Sequence, residues 1–130
     1  MQLTLEQISG KFTICRLPKN SQDPSWIRFN SIYAVINDSI EKTIIVDQDA
    51  QIPADIKTDD EWLMFHVTGT FAFDEAGVVL SFTKPLSENG IGVYVISTFS
   101  SDLLLLKQAD IVQAEKYLTR AGHTIKLLAA

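Results

Sequence analysis

The chain has 130 residues, a formal net charge of −5 and 46% hydrophobic residues. This length fits one domain of ordinary size or two very small ones, and the apolar content suffices for a core, which excludes disorder for most of the chain. Nucleic acids and anionic membranes attract clustered Lys and Arg, so the acidic balance and the scattered basic residues argue against both as partners.

Three features of the sequence bear on its cellular location. No apolar run approaches the ~20 residues that a membrane-spanning helix needs. Residues 1–10 contain Glu6 and lack the basic-then-apolar pattern of a secretory signal. Cys15 is the only cysteine, so no internal disulfide can form. We therefore expect a cytoplasmic protein that does not associate with membranes.

The first part of the chain is predicted to be mostly β. Residues 11–17 alternate apolar and polar side chains, as a half-buried strand does. Residues 32–36 and 43–46 are rich in β-branched and aromatic side chains and also predict strands. A short helical turn is predicted over residues 25–29, because an Asp-Pro pair suited to a helix start precedes it. The polar, acidic segment 53–60 separates this part from the next.

The second part begins with a predicted strand over residues 62–67. A helix is predicted from Asp74 to residue 88, with Asp74 and Glu75 in its first turn, where the helix dipole favours acidic side chains. Pro85 falls inside this helix and predicts a kink or a tightened last turn there.

Two more strands, a second helix and a final strand follow in the sequence. The strands are predicted over residues 92–98 and 103–106, the helix over 110–121 and the final strand over 123–128. A glycine follows each of the two helices, where a left-handed residue is expected.

The predicted order β-α-β-β-α-β is typical of an α+β, ferredoxin-like unit, in which both helices cover one face of an antiparallel sheet. Residues 93–96 and 103–106 are apolar on both faces, whereas a strand covered on one face should alternate. We therefore expect either the first part of the chain or a second copy of it to cover the other face or to extend the sheet edge.

Residues with catalytic or metal-binding potential are few. His66 and His123 are the only histidines, and neither belongs to a sequence cluster of metal ligands. His66 is interpreted as a packed or half-exposed strand residue, His123 as a capping or surface residue, and Cys15 as a buried, unreactive thiol. No nucleophile elbow, phosphate loop or dinucleotide pattern is present. We expect no metal, no cofactor and no enzymatic activity.

Two loops carry residues suited to ligand binding. In the loop over residues 68–77, the start of the following helix offers unpaired N–H groups to a carboxylate, and Gly77 permits close approach. The loop over residues 97–102 offers two hydroxyls, an aromatic ring and the Asp102 carboxylate. The alternative is purely structural, with helix-start acids, a packing glycine and a turn-forming Asp102.

The residues of these two loops resemble the ACT-domain family over residues 61–125. The resemblance rests on Phe73-Asp74-Glu75-Ala76-Gly77-Val78-Val79, Pro85-Leu86, Gly90-Ile91 and Ile96-Ser97-Thr98-Phe99-x-x-Asp102. It is strongest to short tandem ACT proteins of bacteria that are related to the animal cytosolic arginine sensors. The first part is similar through Ile14-Cys15-Arg16-Leu17-Pro18, Pro24-Ser25-Trp26 and Glu41-Lys42-Thr43.

This resemblance implies a reduced ACT-like unit in residues 1–57 and a complete ACT domain in residues 58–130. ACT domains characteristically bind amino acids at interfaces between copies and regulate an associated protein. The matching motifs imply six ligand-binding residues: Glu75, Gly77, Val79, Thr98, Phe99 and Asp102. The sensors are about twice as long as this chain, so the resemblance implies no partner surface.

The sequence leaves two functional hypotheses open. The first is a regulatory module that binds an amino acid, and the carboxylates of Glu75 and Asp102 favour a basic one. It would act by shifting an equilibrium at a homodimer or partner interface. The alternative is a ligand-free dimerisation or protein-interaction module. A concave pocket between Glu75 and Asp102 would favour the first hypothesis, and a solid interface the second.

Overall fold

The computed structural model describes residues 1–29, 31–69 and 75–129, and the chain divides into two compact units. We call Gly10–Trp62 the β unit, and Met1–Ser9 together with Leu63–Ala130 the helical unit. The described elements are β1 (Thr4–Gln7), β2 (Phe12–Pro18), β3 (Ala34–Asn37), β4 (Glu41–Asp47), β5 (Lys57–Thr68), α1 (Val78–Ser87), β6 (Tyr94–Ser97), β7 (Asp102–Lys107), a 3-10 turn (Gln108–Asp110), α2 (Ile111–Arg120) and β8 (Thr124–Lys126). No described helix is both long and apolar enough to cross a membrane.

The β unit is an antiparallel sheet in the order β3-β4-β2-β5, which confirms its predicted β character. One row across this sheet aligns Val35 with Ile44, Ile44 with Cys15, and Cys15 with Thr58. Residues 25–29 form a hydrogen-bonded turn rather than a helix, with the Ile27 N–H bonded to the Pro24 carbonyl at 3.3 Å.

The helical unit has the α+β, ferredoxin-like arrangement that the sequence predicts. Its strands lie in the order β8-β1-β5-β7-β6, and α1 and α2 contribute to a single core cluster with them. β6 and β7 form an antiparallel hairpin in which Val95 lies opposite Leu104. Leu104 and Leu106 face the helical core, and Leu105, on the other face of β7, is also buried. The double-faced apolar pattern of β7 is therefore accompanied by burial on both faces.

The strand β1 is an element that the sequence analysis did not predict. It lies between β5 and β8, antiparallel to the first and parallel to the second, with Leu5 opposite both Val67 and Ile125. Residues 1–9 therefore belong to the helical unit, whereas the predicted division placed them in the first unit. The physical reason is that Leu3 and Leu5, which alternate with polar residues, are buried in the core of the helical unit.

The helix α1 begins at Val78, later than the predicted start at Asp74. Gly77 precedes it with φ 86°, a left-handed conformation that cannot continue a right-handed helix towards the N-terminus. The expectation that acidic residues occupy the first turn is therefore wrong for Glu75, which precedes the helix, and Asp74 lies outside the described residues. Phe82 and Leu86 are fully buried on the inner side of α1.

His123 is interpreted from the sequence as a capping or surface residue, and the surface alternative is wrong, because only 5% of this residue is exposed. Its Nδ1 accepts a hydrogen bond from the Leu3 N–H at 3.1 Å, and its Nε2 lies 2.8 Å from the Ser81 carbonyl oxygen. Since a carbonyl oxygen can only accept, Nε2 carries the proton and the ring is neutral. Leu3, which directly precedes the unpredicted strand β1, supplies the partner that allows this side chain to be buried.

Candidate functional site

The start of α1 and the turn between β6 and β7 border one cavity of about 610 Å³ in the helical unit. Its lining includes all six residues that the resemblance implies, Glu75, Gly77, Val79, Thr98, Phe99 and Asp102, together with Val78, Leu80, Ser97, Ser100 and Ser101. The fold thus brings the two predicted loops together. The predicted loop also included residues 70–74, which lie outside the described residues.

The helix start presents backbone donors at one side of this cavity. The Ser81 N–H donates to the Gly77 carbonyl at 2.9 Å, so the preceding N–H groups of α1 have no acceptor within the helix. Among the described residues, no side chain caps this end. A Cβ built on Gly77 would meet no atom within 4 Å, so the glycine is required by its positive φ and not by packing. Uncapped N–H groups and the positive end of the helix dipole make this end attractive to an anion.

The turn at the opposite side is held by its own hydroxyl groups. The Thr98 N–H donates to the Ser101 carbonyl at 2.8 Å, and the Ser101 N–H donates to Thr98 Oγ1 at 3.1 Å. Ser101 Oγ also lies 2.8 Å from Nε2 of His66, an exposed residue of β5. The Thr98 hydroxyl therefore shapes the turn, while the Phe99 ring at its tip is 83% exposed.

Asp102 is the buried carboxylate of this site, with 6% of the residue exposed. It lies opposite Ser97 in the β6–β7 pair, and the Ser97 hydroxyl donates to its Oδ1 at 2.5 Å. Among the ion pairs of the described residues, none involves Asp102. A buried carboxylate costs free energy unless hydrogen bonds or an opposite charge compensate it. A cation that enters the cavity can therefore compensate the negative charge of Asp102.

The predicted loop over residues 97–102 included Ser97 and Ser101 but gave them no specific role, and sequence reasoning missed His66 as part of this region. Ser97 carries a signal in the sequence, because a hydroxyl directly before a β-turn and an acid directly after it face each other across a hairpin. The contact of His66 with Ser101 depends on β5 and β7 being neighbours, which the order of predicted elements alone does not specify.

The described residues provide neither a metal-binding cluster nor a reactive thiol. Within residues 1–29, 31–69 and 75–129, no three His, Cys, Asp or Glu side chains lie close enough together to hold a metal ion. Cys15 in the β unit is buried, as predicted, and burial together with the negative charge of Asp60 raises its pKa from 9.0 to about 11. At neutral pH the thiol is protonated and therefore a poor nucleophile.

The chain is similar to known proteins over its whole described length. Residues 57–120 match a family model described as ACT domain. The structure of Atu0741 from Agobacterium tumefaciens is 35% identical, with a TM-score of 0.92 and coverage of 100% of this chain and 96% of that chain. VC0802 from Vibrio cholerae, of unknown function, is 17% identical, with a TM-score of 0.75 and coverage of 93% and 91%.

A further likeness is to the regulatory subunit of aspartate kinase from Thermus thermophilus. It is 8% identical, with a TM-score of 0.62 and coverage of 93% of this chain and 97% of that chain. At these identities, the Vibrio and Thermus structures show a shared fold. The family match spans β5 to α2 and includes every residue that lines the cavity. Residues 57–120 of the chain therefore belong to the ACT-domain family.

Proposed function

We propose that this chain is an amino-acid-binding regulatory module whose ligand occupies the cavity between the start of α1 and the β6–β7 turn. The observation that carries the proposal is that uncapped helix N–H groups and the buried Asp102 carboxylate border the same cavity. An amino acid carries the two complementary charges. Family membership supports the regulatory role, because ACT domains are amino-acid-binding regulatory modules.

The ligand α-carboxylate is assigned to the helix start. The N–H groups of Val78, Val79 and Leu80 precede the first intrahelical donor, and no described side chain caps them. A carboxylate bound here accepts hydrogen bonds from the backbone and gains from the helix dipole. Gly77 permits this approach, because its left-handed backbone forms the helix boundary without a side chain.

A cationic group of the ligand is assigned to the acidic side of the cavity. Glu75 and Asp102 both line the cavity, and no Lys, Arg or His occurs in its described lining. Charge-assisted hydrogen bonds are stronger than neutral ones, so this lining favours a basic amino acid such as arginine or lysine. The volume of about 610 Å³ lies within the range of small-molecule sites. A preference for a basic amino acid agrees with the resemblance of the sequence to the arginine sensors.

The regulatory output is proposed to pass through an interface, either between two copies of the chain or with a partner protein. A ligand shifts such an equilibrium only as far as it binds one state more tightly than the other. The division into a reduced ACT-like unit and a complete ACT domain is part of the same proposal. The β unit, with strands and connecting loops, corresponds to the reduced one.

Thermal denaturation against the twenty amino acids, followed by calorimetric titration, tests this function. A ligand at ~100 times its dissociation constant adds ~2.7 kcal/mol to the free energy of unfolding. We expect the largest gain with L-arginine or L-lysine. Citrulline, which lacks the positive side-chain charge of arginine, tests the acidic side of the cavity. Agmatine, which lacks the α-carboxylate, tests the helix start.

Two variants separate the site from a general charge effect. Asp102→Asn keeps the side-chain shape and is expected to weaken binding of L-arginine by about tenfold or more. Asp49→Asn removes the same charge from the β unit and is expected to leave the affinity unchanged. The function is rejected if no amino acid binds. Ligand-independent dimerisation that Asp102→Asn does not change would then favour the interaction module.

A further inference from the structure

Pro85 removes one hydrogen-bond donor from the last turn of α1. In a regular helix, the carbonyl of Ser81 accepts from the N–H of residue 85, but proline has no N–H and its ring displaces that carbonyl. The Ser81 carbonyl nevertheless has a donor, because Nε2 of the buried His123 lies 2.8 Å from it. The imidazole therefore occupies the place of the helix bond that Pro85 cannot make.

The other ring nitrogen of His123 binds a different element. Its Nδ1 accepts from the Leu3 N–H at 3.1 Å, and the Leu3 carbonyl in turn accepts from the Thr124 N–H at 2.9 Å. One neutral side chain thus connects Leu3, directly before β1, with α1, and both contacts require the tautomer protonated at Nε2. A second proton on the ring would remove the acceptor that Leu3 uses.

Ser81 links the hydrogen bonds of His123 to the helix turn that lines the cavity. Its N–H donates to the Gly77 carbonyl at 2.9 Å, and Gly77 to Leu80 form the cavity side of the helix turn. His123 does not line the cavity. We propose that His123 is a positioning residue that holds the first turn of α1 against β1, so that the N–H groups of this turn face the ligand. The link to ligand affinity rests on the proposed function, whereas the hydrogen-bond substitution does not.

A double-mutant cycle between residues 85 and 123 tests the substitution. His123→Phe fills a similar volume but leaves both partners unbonded, and it is expected to raise the unfolding equilibrium constant roughly 10- to 100-fold. His123→Gln retains an acceptor for Leu3 and a donor for Ser81, and is expected to recover much of this loss. In the Pro85→Ala background the restored backbone N–H at position 85 serves Ser81, so the effect of His123→Phe should be several-fold smaller. An equal effect in both backgrounds would overturn the proposal.

Amide exchange of the ligand-free protein tests positioning of the cavity turn. His123→Phe should accelerate exchange at Leu3 and at Ser81, His123→Gln should protect both, and the Glu41 amide in the β unit is the control. Nitrogen NMR of the wild type should show His123 protonated at Nε2 alone. Unchanged exchange at Ser81 in His123→Phe, with faster exchange at Leu3, would mean that His123 does not position the turn.

The affinity for L-arginine connects the positioning role of His123 with the proposed ligand site. His123→Phe should weaken binding by about tenfold, and His123→Gln should restore it, although neither side chain touches the cavity. Failure of L-arginine and the other amino acids to bind the wild type would reject the proposed function alone, since exchange and the cycle still decide the role of His123. Binding that is equal in wild type and His123→Phe would reject the positioning role.

Discussion

The helical unit and the β unit cover their sheets in different ways. Among the described residues, the core cluster of the helical unit has thirteen buried members and includes residues of both helices. The corresponding cluster of the β unit has five, and its partly buried neighbours include loop residues such as Ala50, Ile52 and Ile56. Irregular segments there occupy the place that helices take in the other unit.

This difference matters for ligand chemistry. The β unit also has a cavity, of about 260 Å³, lined by Thr13, Asp60 and residues of the 48–56 segment. No α-helix occurs among the described residues of the β unit, so its cavity has no row of uncapped helix N–H groups. A sheet with loops can bury side chains, but the helix supplies a directed anion site. We therefore expect amino-acid binding in the helical unit.

The largest expected effect tests the core of the helical unit. Phe82→Ala removes a fully buried ring and should lower the free energy of unfolding by about 3–5 kcal/mol. Leu80→Ala, on the exposed side of the same helix, is the control and should change it by less than about 0.5 kcal/mol. Urea unfolding followed by circular dichroism at 222 nm measures both. Similar losses for the two variants would contradict the assigned helix orientation.

A pH effect is expected for the β unit. The pKa of Cys15 is raised from 9.0 to about 11, so the folded state retains the thiol proton at pH values where the unfolded chain loses it. Stability from this group is therefore complete below pH 9 and is lost as the pH rises through 11, by about 3 kcal/mol in total at 1.36 kcal/mol per pKa unit. Unfolding at pH 8 and pH 11 measures the loss, and Cys15→Ala should lack this component. An identical pH dependence in the variant would contradict it.

The boundary of α1 gives a smaller effect. Gly77→Ala places a side chain at φ 86° and should cost about 1–2 kcal/mol, although the added Cβ meets no neighbour. Gly92→Ala, where the Cβ also meets nothing and φ is not positive, should be close to neutral. The difference in thermal stability between the two variants therefore measures the cost of the positive φ at position 77. A neutral Gly77→Ala would argue against the left-handed helix boundary.

The smallest effect concerns the β3–β4 turn of the β unit. The Asp38 carboxylate accepts hydrogen bonds from the N–H groups of Glu41 and Ile40, each at 2.8 Å, and these bonds lower its pKa below 3.8. Carbon NMR of the carboxyl group over pH 2–6 should give a midpoint below that value. A midpoint at or above 3.8 would mean that the turn bonds do not persist in solution.

Local patterns predicted most elements of both units but not their less regular features. Hydrophobic periodicity identified the two helices and the strands around them, and glycines marked both helix ends. The start of α1 was placed too early because sequence shows a glycine at position 77 and not its φ. The adjacency of the two cavity loops came from the family resemblance, since spacing alone does not specify which strand edges meet.

The strand β1 and the burial of His123 escaped prediction for one physical reason. The alternation of Leu3 and Leu5 is too short to predict a strand between a preceding polar residue and a following glycine. The partners of this segment are far away in sequence, and Leu3 and His123 are 120 residues apart. A buried histidine cannot be inferred when the donor that satisfies it directly precedes an unpredicted strand.

The position of β1 between β5 and β8 also constrains how the chain acquires its structure. The parallel pairing of Leu5 with Ile125 joins segments from early and late in synthesis, and such distant contacts slow folding because the intervening loop must close first. Strand β1 leaves the ribosome early and has to wait for β8. Until then, Leu5 lacks one of its two neighbouring strands, so the nascent helical unit exposes apolar surface that chaperones can bind.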